Sequence, residues 1–236
     1  MTVASLNLHC GFGRHDKPYD AAAAICQLDA EVICLQEVWQ PAAPDAADPV
    51  AEAAAKLGAR VLRAPMCRRR SVASLGVRSV SGPGELSIAI LTTLPVTGYQ
   101  LIGLGCAPAD SVPRVAQVAW LALPGGAVVR VAGTHLTHAG TSLLQLRSLL
   151  RTLGASKSRA APAATIVAGD LNMPGLLARQ APGYAPAVRG RSYPAGRPRI
   201  QLDHILAARG SGEADGRVLP PTGSDHRPVR ARLRIS

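Results

Sequence analysis

Aromatic residues are scarce in this 236-residue chain, where Phe, Tyr and Trp together make up 3% of the composition. Proteins that bind single-stranded nucleic acid by base stacking depend on these side chains, so a stacking platform is poorly supported. No apolar run reaches membrane-spanning length, and the N-terminus lacks a basic segment followed by an apolar one. We therefore expect a cytoplasmic protein without a transmembrane segment.

Cysteine and acidic residues are also limited. The five cysteines are odd in number and show no Cys-x-x-Cys spacing, so reduced, largely buried thiols are expected. The 15 acidic residues stand against 26 Lys and Arg, which gives a formal net charge of +11. Such a charge attracts polyanions, including nucleic acid and anionic lipid head groups. The alternative explanation is an Arg-rich codon bias that spreads charge over a solvated surface.

The composition is that of a globular protein, with 47% hydrophobic and 17% charged residues. No linker, repeat or composition break divides the chain, so residues 1–236 are expected to form one domain. Strand patterns outnumber helix patterns and the order is mixed, which favours an α/β fold of two packed sheets with helices outside. Residues 65–84 and 178–201 are rich in Pro, Gly and Arg and are predicted to be long loops. Strands are predicted over residues 2–8, 32–36, 60–64, 86–92, 96–101, 116–123, 128–133, 165–168, 202–207 and 229–235, and helices over 19–28, 51–57 and 142–153.

Polar side chains stand at the ends of many of these strands, where a rigid sheet can present chemistry. These residues are Asn7, Glu37, His135, Asp170, Asn172, Asp203, Asp225 and His226. Hard divalent cations such as Mg²⁺ bind carboxylate and amide oxygens, and Glu37 and Asn7 suit that role. We predict that the strand ends converge around a divalent cation. Each residue taken singly is also compatible with a turn or a polar surface position.

The second element is a histidine beside carboxylates. An aspartate that accepts from one imidazole nitrogen fixes the tautomer and aims the other nitrogen at the substrate. Asp203 is the better partner for His226, because the adjacent Asp225 should point elsewhere in an extended stretch. Asp170 is predicted to hold or deprotonate the attacking water, with Asn172 positioning the phosphate or the water. Either Asp170 or His226 can serve as the base in this interpretation.

Six short motifs carry a resemblance to a known family. They are Ser5-Leu6-Asn7, Leu35-Gln36-Glu37-Val38, Gly133-Thr134-His135-Leu136, Gly169-Asp170-Leu171-Asn172, Leu202-Asp203-His204-Ile205 and Ser224-Asp225-His226-Arg227-Pro228. In residue content and order they resemble the endonuclease/exonuclease/phosphatase superfamily. The resemblance implies a deoxyribonuclease I-like four-layer sandwich and phosphoester hydrolysis dependent on Mg²⁺ or Mn²⁺. It also implies that Glu37 binds the metal and Asp203 pairs with His226, and Asp225 joins the candidate metal ligands.

Further roles follow from the same resemblance. Glu85 looks like the carboxylate that some deoxyribonuclease-like members pair with the central histidine, here His135. Arg114 resembles a phosphate-contacting arginine. Apart from the resemblance, the basic cluster Arg68-Arg69-Arg70 in the predicted loop 65–84 is expected to bind a polyanionic substrate through its charge. The chain departs from abasic-site endonucleases, which carry an aspartate where this sequence has His9.

The sequence thus predicts a monomeric Mg²⁺-dependent phosphodiesterase that hydrolyses phosphoesters by direct attack of water. A nuclease acting on DNA or another polyanion is the first hypothesis. The second keeps the chemistry but takes a phospholipid, sphingomyelin or a small phosphomonoester. The third is an inactive nucleic-acid-binding relative, which is disfavoured because no expected catalytic position carries an inert residue.

Overall fold

The computed structural model describes residues 1–72, 77, 81–107, 110–138, 140–155 and 161–235. The helices are α1 (Ala21–Cys26), α2 (Pro49–Leu57), α3 (Thr141–Ala155) and α4 (Gly175–Ala178). The strands are β1 (Thr2–Asn7), β2 (Val32–Pro41), β3 (Arg60–Ser71), β4 (Ser81–Thr92), β5 (Val96–Gly105), β6 (Arg114–Ala122), β7 (Val128–His135), β8 (Ala164–Asp170), β9 (Tyr184–Pro186), β10 (Asp203–Ala208), β11 (Glu213–Val218) and β12 (Val229–Arg234).

The strands form two six-stranded mixed sheets, as the sequence predicted. Sheet 1 has the strand order β11-β12-β1-β2-β4-β3, and sheet 2 has the order β5-β6-β7-β8-β10-β9. In each sheet one central pair is parallel, β1 with β2 and β7 with β8, and its neighbours are antiparallel. Parallel strands end at the same edge of a sheet, so polar residues that follow these pairs are brought together.

Apolar side chains fill the space between the sheets and the space under the helices. The inter-sheet core includes Val32 and Ile90 from sheet 1 and Val131 and Ile166 from sheet 2. Helices α1 and α2 cover the outer face of sheet 1, and α3 covers sheet 2 through residues such as Leu146. The order of layers is therefore helix, sheet, sheet, helix, which confirms the predicted α/β sandwich.

Local signals explain how α2 is placed over its sheet. Asp48 precedes the helix and accepts hydrogen bonds from the backbone N–H groups of Val50 and Ala51, and Pro49 occupies the first turn. Gly58 ends the helix in the left-handed region at φ 61°. Asp48 also forms a 2.8 Å ion pair with Arg63 of β3, so the same carboxylate ties the start of the helix to the sheet.

The prediction of a long loop over residues 65–84 is wrong. β3 and β4 extend into a two-stranded ribbon whose register continues to Ser71 opposite Ser81. Pro65 and the charged residues are tolerated because β3 is an edge strand, and register shifts after Pro65 and Arg69 accommodate the irregular sequence. Residues 73–76 and 78–80 of the predicted loop lie outside the described part of the chain.

The second predicted loop, residues 178–201, is mostly irregular and contains only the short strand β9. Strand β11 was not predicted, because its sequence Glu-Ala-Asp-Gly-Arg-Val has little apolar alternation and only pairing with β12 defines it. Within the described residues, no helix has both the length and the hydropathy needed to cross a bilayer. The single domain over residues 1–236, the cytoplasmic location and the monomeric state stay predictions.

Candidate active site

One cross-strand row of sheet 2 supplies three of the predicted site residues. His135 ends β7, Asp170 ends β8 and Asp203 begins β10, and their Cα positions are paired in the order His135, Asp170, Asp203. All three are at most 3% exposed. Gly169 permits this close pairing, because a Cβ there would lie 1.9 Å from the Thr134 carbonyl oxygen. The polar residues predicted at these strand ends therefore lie side by side in one buried row.

Sheet 1 supplies the opposite wall through Asn7 and Glu37. Asn7 ends β1, and Glu37 lies at a bulge in β2, where the register with β4 shifts and the Glu37 φ angle is 49°. This left-handed conformation turns the glutamate out of the regular pleat. The Asn7 amide donates 3.1 Å hydrogen bonds to Glu37 Oε1 and to Asp170 Oδ2, so one side chain connects the two sheets.

His226 and Asp203 form the predicted pair, with 2.8 Å between His226 Nδ1 and Asp203 Oδ2. Ser224 Oγ donates to the Asn7 carbonyl oxygen and accepts from the His226 backbone N–H, which fixes the loop before β12 against β1. Burial lowers the pKa of His226, but Asp203 and Asp170 outweigh it and raise the pKa to about 10. The imidazole is therefore a cation at neutral pH, and its other nitrogen, Nε2, lies 3.8 Å from Asp170 Oδ2.

Asp170 lies at the centre of the cluster. Its Oδ1 accepts from the Asn172 backbone N–H at 2.9 Å, and its Oδ2 accepts from Asn7. Burial raises the pKa of Asp170 to about 7, with a further increase from Asp203, although His226 and the two hydrogen bonds lower it. A carboxylate with a pKa near neutrality can accept a proton and release it again at physiological pH.

Asn172 and His135 form the third contact of the site. Asn172, at φ 49°, donates from Nδ2 to the Leu136 carbonyl oxygen and lies 3.0 Å from His135 Nε2. Burial lowers the pKa of His135 well below its ordinary value, and the Arg114, His138 and His226 charges act in the same direction. A neutral imidazole that accepts this hydrogen bond at Nε2 carries its proton on Nδ1. His135 is thus an uncharged positioning group for Asn172.

The donor set on the sheet 1 side fits a hard divalent cation. Glu37 Oε2 is buried without a hydrogen-bond partner among the described residues, an arrangement that a metal ion would compensate. Asn7 Oδ1 accepts from the His9 backbone N–H and retains a second lone pair. Asp225 and Glu37 both raise the pKa of the buried Cys10 thiol, after burial itself, which locates two carboxylates in the same region.

Asp170, Asp203 and His226 also offer ligand atoms within 4.8 Å of one another. The His226–Asp203 hydrogen bond already occupies His226 Nδ1 and Asp203 Oδ2. Imidazole is moreover a poorer ligand than oxygen for Mg²⁺. We therefore interpret this buried trio as a proton-handling group and the Glu37 side of the cleft as the metal side.

A cleft of about 970 Å³ is lined by six of these residues, Glu37, His135, Asp170, Asn172, Asp225 and His226, while Asn7 and Asp203 are buried behind its surface. Arg114 is on its wall, as predicted, and its Nε donates to Asp110 Oδ2 at 2.7 Å. Asp110 also accepts from the Thr137 hydroxyl at 2.6 Å. Its pKa is lowered even though burial raises it, because Arg114 and Thr137 stabilise the charged form. Asp110 therefore orients the Arg114 guanidinium. The sequence contained a signal for this contact, because Asp110 and Arg114 are opposite charges four residues apart at the start of a strand.

Two further cleft residues were missed from the sequence. Tyr193 lies with its ring centroid 4.8 Å from that of His226, in the Pro-rich segment predicted to be a loop. Arg14 follows the Gly11-Phe12-Gly13 turn, and no ion pair to it is formed by the described residues. A Cβ at Gly13 would lie 2.1 Å from the Gly223 carbonyl oxygen, so a glycine there brings the Arg14 segment against the loop that carries His226. Contacts between segments far apart in the sequence place Tyr193 and Arg14 in the cleft, so no local sequence pattern predicts them.

Two sequence expectations do not match the cleft. The predicted Glu85–His135 pair is not formed, because Glu85 lies 3.7 Å from Arg68 Nε, while its neighbour Leu86 lines the cleft. Successive residues of a strand face opposite sides of the sheet, which explains the difference. The cluster Arg68-Arg69-Arg70 lines a separate cavity together with Glu85.

Comparison with known proteins agrees with the fold and the motifs. The model of the endonuclease/exonuclease/phosphatase family matches residues 4–226. A search of curated protein sequences finds no match. An endonuclease/exonuclease/phosphatase from Beutenbergia cavernae superposes with a TM-score of 0.72 at 21% identity, over 99% of this chain and 71% of that one.

Two further solved structures share the fold. The human Nocturnin catalytic domain with a bound sulfate anion gives a TM-score of 0.69 at 19% identity, over 100% of this chain and 93% of that one. A mutant of Staphylococcus aureus beta toxin with bound magnesium ions gives 0.70 at 15% identity, over 99% of each chain. At these identities the likeness shows the fold alone.

Proposed function

The chain belongs to the endonuclease/exonuclease/phosphatase family of metal-dependent phosphoesterases, and from this premise we propose that it is a Mg²⁺-dependent phosphodiesterase that cleaves nucleic acid. The observation that carries the proposal is the arrangement around Asp170. A carboxylate with a pKa of about 7 lies 3.8 Å from the imidazolium of His226, beside a metal-type donor set on the other sheet.

Glu37, Asn7 and Asp225 are the residues that would hold the cation. A bound Mg²⁺ supplies charge neutralisation at a phosphate oxygen and stabilisation of the leaving group. Magnesium ions bound to beta toxin, which has the same fold, support this assignment. Mn²⁺ has similar ligand preferences and is the expected substitute.

The ionisation states divide the catalytic work between Asp170 and His226. His226 is already protonated at neutral pH, so it cannot accept a proton, and Asp170 is the group available as the base. Asp170 takes a proton from water as the water oxygen bonds to phosphorus. The bond from phosphorus to the leaving oxygen breaks, and the electron pair remains on that oxygen. The His226 imidazolium, held by Asp203, stabilises the negative charge that develops on the phosphoryl oxygens.

The remaining cleft residues position the phosphate. Arg114 presents a guanidinium already oriented by Asp110, which suits recognition of a phosphate group. Asn172 is held by the Leu136 carbonyl oxygen and by His135, so little conformational freedom is lost when substrate binds.

A polyanionic substrate is favoured by the charge of the protein and by the surface of the cleft. The net charge is +11, and the exposed Arg14 adds a cation at the cleft. In the described part of the chain the large exposed hydrophobic side chains are Tyr99, Leu101, Leu144, Leu176 and Leu177, and none of them lines the cleft. A lipid substrate in a bilayer would call for apolar residues at this position.

The test measures hydrolysis of labelled DNA with Mg²⁺, with EDTA, and after substitution of Asp170. EDTA should abolish the activity and Mg²⁺ should restore it. Asp170→Asn should lower kcat on the order of 10²–10⁴-fold, the usual contribution of a general base. Asp215→Asn, an exposed aspartate of β11, is the matched control and should retain activity. Metal-independent cleavage, or an active Asp170→Asn variant, would refute the proposal.

A further inference from the structure

A second cavity, of about 590 Å³, lies beside the ribbon formed by β3 and β4 and is distinct from the catalytic cleft. Three arginines and a single carboxylate line it, for a net charge of two positive units. We call it the arginine pocket and define it by Gln40, Arg68, Arg69, Arg70 and Glu85, with Pro41, Ala42, Pro83 and Gly84. A positively charged concavity away from the reacting groups requires its own explanation.

Strand register builds the arginine pocket. Gln40 of β2, Glu85 of β4 and Arg68 of β3 are paired in one row across the three strands, so their side chains share a face. Beyond this row, the Ala42 backbone N–H donates to the Pro83 carbonyl oxygen at 2.9 Å and joins the ends of β2 and β4. The pocket therefore rests on hydrogen-bonded backbone and does not depend on long side chains for its shape.

Gly84 also keeps the floor of the arginine pocket in place. A Cβ at this position would lie 2.3 Å from the Trp39 ring and 2.6 Å from the Gln40 carbonyl oxygen. The buried Gln40 Oε1 and Trp39 Nε1 atoms have no hydrogen-bond partner among the described residues. Unpaired buried polar atoms next to a charged cavity are unusual for a surface that only faces water.

Two of the three arginines are available to a ligand. Arg69 donates to Ser111 Oγ and Cys67 Sγ and is engaged with the neighbouring sheet. The Arg68 side chain is 90% exposed, and its contact with Glu85 is a long 3.7 Å ion pair. Exposed ion pairs of this kind are weak, so a phosphate can displace the carboxylate. Arg70 is exposed and has no ion pair within the described part of the chain.

The arginine pocket is close to the catalytic cleft along the same two strands. On β4, Glu85 lines the pocket and Leu86 lines the cleft. On β2, Gln40 lines the pocket and Glu37 lines the cleft. Three strand residues span about 10 Å, but Glu85 and Leu86 face opposite sides of β4, so the two cavities open on opposite faces of the strand. A nucleic acid in the cleft therefore reaches the pocket by passing the end of β2, and with a phosphate for every ~3.4 Å of each strand it carries several along that path.

We propose that the arginine pocket is a phosphate-binding exosite, in which Arg68 and Arg70 hold a backbone phosphate of the nucleic acid whose scissile bond lies in the cleft. The inference rests on the proposed nuclease function and adds a second point of attachment to it. An anionic membrane surface is the less favoured partner. None of the large exposed hydrophobic side chains among the described residues lines the pocket, so it offers no apolar anchor.

The experiment measures binding without cleavage. In the Asp170→Asn background, the full chain is titrated against a fluorescein-labelled 20-base-pair DNA duplex, and anisotropy is followed from 50 to 200 mM NaCl. Arg68→Ala with Arg70→Ala should weaken binding about tenfold at the lower salt concentration, and it should reduce the slope of log K against log salt by about 0.9, the value for one lost phosphate contact. Glu85→Gln should act in the opposite direction and tighten binding roughly twofold to fivefold.

The matched control replaces Arg179 and Arg209, which are exposed and form no ion pair with described residues. This control loses the same formal charge and should change binding less than about twofold, because distant exposed charges are screened. Equal losses in the control and in the Arg68/Arg70 variant would overturn the exosite, since a diffuse field would then explain binding. The exosite would also be overturned if the Arg68/Arg70 variant bound the duplex as tightly as the unsubstituted protein does. The same holds if the variant lost binding to phosphatidylserine vesicles but kept its binding to the duplex.

A second readout separates the exosite from the proposed chemistry. With Asp170 intact, the Arg68/Arg70 variant should raise KM for the 20-base-pair duplex more than KM for a dinucleotide, which is too short to reach both cavities. Failure of the wild type and every variant to hydrolyse DNA would refute the proposed function, while the binding result would still decide the exosite.

Discussion

The two sheets contribute different kinds of chemistry to one cleft. Sheet 2 presents His135, Asp170 and Asp203 in a single register row, almost fully buried and linked to neighbouring groups. Sheet 1 presents Glu37 at a bulge and Asp225 in the loop before β12, with side chains 13% and 20% exposed. Each side leaves one buried carboxylate oxygen unpaired among the described residues, Asp203 Oδ1 on sheet 2 and Glu37 Oε2 on sheet 1, but of these two residues only Glu37 lines the cleft. The rigid row is suited to proton transfer and the more open side to a cation.

This difference follows from the backbone. Register pairing fixes Asp170 between two neighbours at strand spacing, so its environment is set by the fold and its pKa is shifted by burial. A bulge releases Glu37 from the pleat, so its carboxylate can face the cleft with one oxygen, Oε2, unpaired. Substitutions on the two sides should therefore fail in different ways.

After Asp170 itself, the largest effect is expected at Asp203, also on the sheet 2 side. Asp203→Asn removes the carboxylate that contributes most to raising the pKa of His226, so this pKa should fall from about 10. We expect kcat to drop on the order of 10²-fold. Activity requires the cationic form, which exists below the pKa, so the alkaline limb of the pH–rate profile should move to lower pH.

A pH–rate profile of the Asp203→Asn variant, with NMR titration of the metal-free protein, checks this prediction. Asp45→Asn, a change at an exposed loop residue, is the control and should leave both the rate and the alkaline limb in place. An unchanged alkaline limb in Asp203→Asn would show that Asp203 does not set the charge of His226.

The corresponding change on the sheet 1 side is Glu37→Gln, which should affect the metal more than the chemistry. We expect the Mg²⁺ concentration at half-maximal activity to rise about 10–100-fold, with much of kcat recovered at saturating Mg²⁺. Without metal, the variant should melt at a higher temperature than wild type, because it removes one negative charge from a region that also holds the Asp170 and Asp225 carboxylates.

Mg²⁺ titrations and melting curves in EDTA test the Glu37→Gln prediction. Glu52→Gln, an exposed residue of α2, serves as the control for loss of one negative charge. If Glu37→Gln lowered kcat without changing the Mg²⁺ dependence, the division of labour between the two sheets would be wrong.

The smallest effect is expected at Asp110, which touches neither sheet row and acts through Arg114. Asp110→Asn weakens the 2.7 Å contact that orients the guanidinium. KM should increase about fivefold, which corresponds to ~1 kcal/mol, with kcat changed less. In an Arg114→Ala background, Asp110→Asn should have no further effect on KM, so a double-mutant cycle measures the coupling between the two residues directly. Additive effects would separate Asp110 from Arg114.

Much of this site could be predicted from the sequence because its residues follow apolar strands. Buried strands such as β8 are near-continuous apolar runs, so their ends are visible in the sequence, and Asp170 stands at such an end. The Asp203–His226 contact was likewise expected and is present at 2.8 Å. Catalytic roles for these residues stay predictions until the variants are measured.

Other parts depend on pairing that no local pattern reveals. The ribbon of β3 and β4 contains Pro, Gly and consecutive arginines, and only cross-strand hydrogen bonds make it a sheet. The side of the sheet to which Glu85 points is set by strand alternation. The predicted strand began at residue 86, whereas β4 begins at Ser81 and includes Glu85. Tyr193 reaches His226 through an irregular segment, so its position follows from tertiary packing alone.

The hydrogen bond from Ser224 Oγ to the Asn7 carbonyl oxygen joins residues 217 positions apart. The candidate active centre can therefore assemble only after β12 has paired with β1, two strands that are far apart in the sequence. A partly unfolded molecule holds its acidic, amide and imidazole groups too far apart to act. Whatever phosphoester this fold hydrolyses, its chemistry is thus conditional on completed pairing of sheet 1.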